Sequence, residues 1–425
     1  MAVTAATSAE TVLEPPGRRR RVMMMIVVGL FVSTFVSDSK HARLPLQFLL
    51  KNHLHLGPTA MAAFFGLTSL AWYFKPVAGL LSDVVPLWGS RRRNYLVLSG
   101  LMAGGFWALL AVVPRHYAPL LWTLIGANAF AVLASSVAGG LLVEAGQRRG
   151  WTGRMGSLRE TIIAGTSLAA QPVGGFLVGQ AFGWTCGLGA ALFLGLIPAA
   201  FLLLPKADGG ERQGRVTRPE ILASLAPVFR SRVLWLAAAF IFLRDLSPGF
   251  GTPLFFYQTN VLHFSPSFLG WLGALYNGAA IAGALLYAWL CTRLPLARLL
   301  TAGIMLSALG SLLFLGYHSH GSALVIQGVS GLLGIIVSVA LMDLAGRAAP
   351  VGAEAMSYSL LMSAANLGLT CSDILGSALY EKLHVPFPVL ICVSAATTAL
   401  ALFALPFIPR SLLERHDRVG AAPPS

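Results

Sequence analysis

The sequence predicts an all-α membrane protein with twelve transmembrane helices in two pseudo-symmetric six-helix bundles. The first observation is composition: of 425 residues, 56% are hydrophobic and 11% are charged, whereas soluble domains carry about 25% charged residues. The second is that apolar runs of about 20 residues, enough to cross ~30 Å of hydrocarbon, recur along the whole chain. The third is an internal repeat between the two halves of the sequence.

The apolar runs place the expected spans at 22–50, 58–82, 94–113, 117–144, 155–182, 184–204, 231–260, 266–290, 297–317, 322–346, 353–380 and 386–408. One long polar stretch, Lys206–Arg218, divides them near the midpoint. The expected organisation is a tail over 1–21, a first half over 22–205, a linker over 206–230, a second half over 231–409 and a tail over 410–425.

The repeat is visible at a fixed offset of 208 residues. Residues 45–58 read PLQFLLKNHLHLGP, residues 253–266 read PLFFYQTNVLHFSP, and seven of the fourteen positions are identical. Proline, asparagine and histidine are among the identities, and chance similarity between apolar helices does not readily supply them. Both copies fall at the end of the first span of a half, which indicates an internal duplication.

The positive charges predict the orientation. With the N-terminus inside, the inner segments hold 22 of the 30 lysines and arginines, and the outer loops hold Lys51, Arg115 and Lys382. Inner loops of membrane proteins carry this excess, so we expect a multi-pass protein of the inner or plasma membrane with both termini cytoplasmic. The net charge of +14 is thereby explained without a nucleic-acid partner.

The loop after the second span reads Gly79-Leu-Leu-Ser-Asp83, followed by Pro86, Gly89, Arg91–Arg93 and Tyr95. This pattern resembles the signature loop of the major facilitator superfamily. The longer stretch Lys75–Gly100, together with Phe255–Gly270 and Pro350–Gly368, resembles the folate–biopterin transporter family. The resemblance implies proton-coupled uptake of folates or pterins. That family usually carries two acidic residues in its fourth helix, and by spacing these positions are Ser135 and Gly139 here.

Charged residues inside the spans predict a polar cavity. Each costs about 2.5–3.5 kcal/mol at a helix centre, so we expect them to face a cavity or one another. Asp38 with Lys40, and Arg244 with Asp245, are too close in sequence to share a helix face, so we expect partners from other helices. The expected substrate and coupling cavity contains Asp38, Lys40, Arg43, Lys75, Arg244, Asp245, Tyr276, Asn277, Asn366 and Asp373.

This cavity set carries a slight positive excess, which suits a small organic anion, with the proton as the coupling ion. A purely structural set of helix-locking pairs remains the alternative. Charged residues at the inner ends form an expected cytoplasmic gate: Asp83, Arg91, Arg92, Arg93, Glu144, Arg148, Arg159, Glu160 and Asp343.

No cofactor, metal site or enzymatic activity is expected. The four cysteines form no CxxC pair, and no Walker A, HExxH or G-x-S-x-G pattern occurs. The leading interpretation is a secondary transporter that moves a folate or pterin by alternating access. The alternatives are a muropeptide- or acyl-coenzyme-A-type permease or exporter on the same fold, and a non-transporting membrane assembly factor.

Overall fold

The computed structural model describes residues 16–37, 39–84, 87–88, 90, 92–147, 152–204, 228–349 and 354–413. The first half contains α1 (Pro16–Phe35), α2 (Arg43–Asn52), α3 (Pro58–Thr68), α4 (Leu70–Tyr73), α5 (Lys75–Val84), α6 (Arg93–Val112), α7 (Tyr117–Gln147), α8 (Thr152–Val178) and α9 (Phe182–Leu203). The second half contains α10 (Arg232–Asp245), α11 (Gly251–Asn260), α12 (Pro266–Leu290), α13 (Leu296–Leu312), α14 (His320–Ala348), α15 (Glu354–Glu381), α16 (Phe387–Leu400) and α17 (Arg410–Leu413). Short 3₁₀ segments, Leu313–Gly316 and Ala401–Phe407, extend α13 and α16.

Eight helices in the described part of the chain are long and apolar enough to cross a membrane: α6, α7, α8, α9, α12, α13, α14 and α16. Of the other four expected spans, one is the continuous helix α15, and three are divided into shorter helices. The all-helical fold class is confirmed, whereas the count of twelve spans stays a prediction.

Two of the divided spans are broken at equivalent places. α1 gives way to α2 across residues 36–42, and α10 gives way to α11 across residues 246–250. The ends of α2 and α11 are 208 residues apart, so the repeat seen in the sequence is also a structural one. Pro248 lacks an N–H and Gly249 weakens a helix, which explains the second break. In the first break, Ser37 donates its hydroxyl hydrogen to the Thr34 carbonyl at 3.3 Å and so competes with the helix ladder.

The second expected span divides into α3, α4 and α5, with interruptions at Ser69 and Phe74. Pro76 lies in the first turn of α5, where its missing N–H costs little, but its ring would clash with the carbonyl four residues earlier in a continuous helix. The interruption therefore places Lys75 at the start of a helix within the bundle.

The bundle has two chemically distinct ends. The basic end carries Arg92 and Arg347, and the histidine end carries His55, His263 and His384. Each of these three histidines has a positive φ of 51–52°, the left-handed conformation that commonly ends helices. Each of these histidines lies three residues after the end of a helix.

The apolar core shows how the halves are joined. One cluster of buried side chains fills the first half and continues into the second at the histidine end, through Phe255, Phe264 and Phe387. A separate cluster, which includes Leu234 and Leu300, fills the second half towards the basic end. The halves therefore share a core at one end of the bundle.

Small residues let the helices approach closely. A Cβ on Gly175 would lie 3.0 Å from the Cα of Gly270, where α8 of the first half crosses α12 of the second. Gly376 of α15 faces the carbonyl oxygen of Gly249 with no room for a side chain. These contacts need no ligand to explain them.

Candidate functional site

Polar contacts join the two halves at the histidine end. The Lys51 ammonium donates to the Thr259 hydroxyl at 2.6 Å, between the ends of α2 and α11. The Glu381 carboxylate, at the end of α15, accepts from the Thr59 backbone N–H at 2.7 Å, at the N-terminus of α3. A carboxylate there satisfies a helix N–H that has no partner within its own helix. These contacts and the shared core close the histidine end.

Lys75 is a cation held by a neutral partner. Its ammonium donates to the Ser135 hydroxyl at 3.2 Å and lies 5.3 Å from the centre of the Trp72 ring. Ser135 is 8% exposed. A hydroxyl accepts a hydrogen bond but cannot neutralise an ammonium, and no carboxylate lies at hydrogen-bond distance from Lys75 among the described residues.

Arg244 and Asp245 form an ion pair at 2.5 Å, with side chains 13% and 5% exposed. Our expectation that these neighbours would need partners from other helices was wrong for this pair. α10 ends at Asp245, and the long arginine side chain reaches the neighbouring carboxylate there.

The Arg244 guanidinium has further hydrogen-bonding capacity. It donates to the Ser307 hydroxyl at 3.1 Å, while its Nε is buried without a hydrogen-bond partner among the described residues. A buried unsatisfied donor is costly, so this atom marks a place where water or a ligand would bind.

Asp373 has a structural partner set. Its carboxylate accepts from the Thr252 backbone N–H at 2.8 Å and from the Thr252 hydroxyl at 2.6 Å. It thus caps the N-terminus of α11 from α15. Our cavity prediction for Asp373 stays a prediction, and the contacts show what else the residue does.

Replacing Asp373 with alanine is expected to destabilise the protein by about 0.5–2 kcal/mol, because it removes the cap of α11. Asp373→Asn keeps an acceptor oxygen and should retain most of the stability. Thermal unfolding of the purified variants in detergent measures both effects. Equal losses in the two variants would show that the negative charge, and not the cap, is what stabilises the break.

The remaining cations of the first span lie at the α1–α2 break. Lys40 is half-buried, and the Arg43 guanidinium lies 3.6 Å from the centre of the Phe65 ring. Between them, His41 is fully buried, with its Nδ1 3.0 Å from the Phe35 carbonyl oxygen. The sequence interpretation did not single out His41. Asp38 lies outside the described residues.

The uncharged cavity candidates are divided. Tyr276, on α12, is 38% exposed, and its hydroxyl lies 3.3 Å from where a Cβ on Gly334 of α14 would be. The Asn277 amide donates to the Gly273 carbonyl of its own helix at 2.7 Å. Asn366 is exposed. Tyr276 is therefore the one of the three that is exposed and also lies at a contact between two helices.

The gate candidates that are described pair within their own halves. The Arg92 guanidinium forms an ion pair with Glu144, and its Nε donates to the same carboxylate at 3.1 Å. Arg159 pairs with Glu160, its sequence neighbour. Arg93 instead lies 5.1 Å from the centre of the Phe201 ring of α9. Arg91 and Arg148 lie outside the described residues, as does the side chain of Asp83.

Asp343 has partners that the sequence interpretation missed. Arg347 donates to its two oxygens at 2.8 and 2.9 Å, and the Tyr287 hydroxyl donates to it at 3.2 Å. The signal was present, because Asp343 and Arg347 have the same four-residue spacing as Glu144 and Arg148. Ser307, Thr252 and Glu381 carried no comparable signal, since serines, threonines and helix-end carboxylates are common.

Comparison with known proteins decides the family. A family model described as the BT1 family matches residues 39–422. The chain belongs to the BT1 family. A folate-biopterin transporter from Synechocystis is 31% identical over 392 residues, which cover 86% of this chain and 77% of the relative. Folate transporter 1 from Plasmodium falciparum is 23% identical over 398 residues, with 86% and 76% covered.

Solved structures show the same fold. A mutant of the nucleoside transporter NupG superposes with a TM-score of 0.72 at 13% identity, covering 91% of this chain and 99% of its own. The D-xylose-proton symporter has a TM-score of 0.67 at 14% identity, covering 91% and 97%. This BT1-family chain is therefore a multi-pass membrane transporter with the predicted major facilitator fold, and it is not an enzyme.

Proposed function

We propose that this BT1-family transporter moves a folate or pterin anion across the membrane by alternating access, coupled to protons. The observation that supports an anion most directly is Lys75, a cation within the bundle whose hydrogen-bond partner is the neutral Ser135 hydroxyl. A carboxylate of the substrate would supply the missing negative charge. The names of the relatives, which include folate and biopterin, give the substrate class.

The second half supplies a second anion contact. The Arg244 Nε is buried without a partner in the described part of the chain, and a guanidinium can bind a carboxylate through two parallel hydrogen bonds. Trp72 and Tyr276 present aromatic faces suited to stacking on a flat pterin ring. Lys75 and Arg244 belong to different halves. A substrate that binds both residues would therefore couple its binding to the relative position of the two halves.

Proton coupling is assigned to Asp245. While it is ionised, Asp245 holds one nitrogen of Arg244 at 2.5 Å. A proton on this carboxylate would weaken the pair and release the guanidinium for the substrate. Proton and anion would then bind together, which is the condition for symport. Asp38 and Asp373 are the other candidate proton carriers.

The access cycle uses the two ends of the bundle. We place the basic end, with both termini, in the cytoplasm, and we take the halves as 22–205 and 231–409 joined by the linker 206–230. The contacts of Lys51 with Thr259 and of Glu381 with Thr59 would break when the histidine end opens outward. The ion pairs Arg92–Glu144 and Arg347–Asp343 are the gate candidates at the opposite end.

Uptake into proteoliposomes tests the proposal. Purified protein should accumulate labelled folate or biopterin, but not a labelled amino acid, and an inward proton gradient should increase the rate. A protonophore should remove the increase, and Asp245→Asn should transport without a response to the gradient. Movement of a muropeptide in place of both folate and biopterin would overturn the substrate assignment and leave the transporter assignment intact.

A further inference from the structure

A cavity of about 540 Å³ lies on the surface of the basic end, away from the central cations. It is bounded by the first turns of α1, the start of α6 and the end of α9. Its lining residues are Gly17, Arg18, Arg21, Arg93, Phe201, Leu202, Leu203 and Leu204.

The polar side of this cavity is made of guanidinium groups. Arg18 and Arg21 are exposed and three residues apart on α1, so they lie on one face of that helix. Arg93 faces them from the first residue of α6, and its Nε is buried without a hydrogen-bond partner among the described residues. Arg93 thus brings a donor without a hydrogen-bond partner among the described residues to this cavity, and Arg21 adds a second, exposed guanidinium, which favours an anionic ligand.

The other side of the cavity is apolar and open. Phe201 and Leu202, at the end of α9, are 55% and 73% exposed, and the Phe201 ring lies 5.1 Å from the Arg93 guanidinium. α9 is an apolar helix of 22 residues, so its end lies where the hydrocarbon meets the headgroups. An anion bound here therefore sits at headgroup depth, beside an exposed apolar helix face.

We propose that this cavity binds the headgroup of an anionic phospholipid. The phosphate would accept hydrogen bonds from the Arg93 Nε and from Arg21, and the acyl chains would lie along the exposed face of α9. Basic pockets between transmembrane helices bind anionic headgroups in this way, and the planar guanidinium matches phosphate geometry. The site is independent of the transported substrate.

Lipid binding to the full-length protein, purified in detergent, tests the proposal. Phosphatidylglycerol should remain bound in native mass spectrometry and raise the unfolding midpoint, and phosphatidylcholine should do neither. The triple variant Arg18→Gln, Arg21→Gln, Arg93→Gln should lose at least about tenfold in affinity for phosphatidylglycerol. The single variant Arg93→Lys keeps the charge but removes the unsatisfied Nε, and should lose severalfold.

A matched triple variant controls for net charge. Arg230→Gln, Arg232→Gln, Arg293→Gln removes three exposed arginines from the same end of the bundle and should bind phosphatidylglycerol as the wild type does. If both triple variants lost the same affinity for phosphatidylglycerol, the lipid would be attracted by the overall positive charge of this end, and the proposed site would be overturned. Unchanged phosphatidylglycerol binding in both Arg93→Lys and the first triple variant would also overturn the site. So would a stabilisation by inorganic phosphate alone that equals the stabilisation by phosphatidylglycerol.

Discussion

Replacing Arg244 with glutamine is expected to lower folate uptake strongly and to destabilise the protein at the same time. The substitution leaves the Asp245 carboxylate, 5% exposed, without its cation, and breaking a buried pair on one side costs about 3–5 kcal/mol. It also removes a charge-assisted contact to the substrate, worth about 1.5–3 kcal/mol, which corresponds to roughly ten- to a hundredfold in uptake efficiency. Thermal unfolding and proteoliposome uptake measure the two effects separately.

A double variant separates stability from transport. Arg244→Gln with Asp245→Asn removes both charges, so it should recover much of the stability lost in Arg244→Gln alone. Uptake should stay low, because the anion contact is still missing. If the double variant transports folate as the wild type does, Arg244 is a structural residue and the anion assignment fails.

Replacing Lys75 with glutamine is expected to change function and stability in opposite directions. The ammonium donates to the neutral Ser135 at 3.2 Å, and the charged groups that act on it, Arg159 and Glu160, pair with each other, so a buried ammonium here is unfavourable. Glutamine can still reach the serine hydroxyl, so the variant should be as stable as the wild type or more stable by about 0.5–2 kcal/mol. Folate uptake should fall at least about tenfold, the cost of one charge-assisted hydrogen bond.

Further substitutions define what Lys75 contributes. Lys75→Arg keeps the charge and should retain part of the uptake, whereas Ser135→Asp would give Lys75 a carboxylate and compete with the anion. Lys382→Gln, which neutralises an exposed lysine at the histidine end, is the control and should transport normally. Normal uptake by Lys75→Gln would remove the main support for an anionic substrate.

The sequence predicted the architecture well because two simple constraints apply along the whole chain. Apolar length predicted the eight long helices that could cross a membrane, and the offset of 208 residues between Pro45 and Pro253 indicated the repeat. Apolar length does not reveal where a span is broken, since a break depends on a few residues such as Pro248 and Gly249. The breaks at 36–42 and 246–250 were therefore visible only in the structure.

The site residues stay predictions, but the sequence could nominate some of them. The cost of a charge in the membrane nominated Lys75, Arg244 and Asp245, because charged side chains in apolar spans are rare. Their partners could not be predicted, since Ser135 and Ser307 differ from many other serines only in position. The Arg244–Asp245 pair was predicted wrongly because the spacing rule for a helix face assumes a continuous helix, and α10 ends at that point.

The contact between Lys51 and Thr259 has a consequence for the history of the chain. The two residues are 208 positions apart, which is the offset of the repeat, so they occupy equivalent positions in the two halves. Equivalent positions that touch lie on the twofold axis relating the two copies. In an ancestor made of two identical subunits, a residue at this position would have faced itself, and two lysines there would have repelled each other. A single chain with two related halves is free of this constraint, and here it has a donor on one side of the axis and an acceptor on the other.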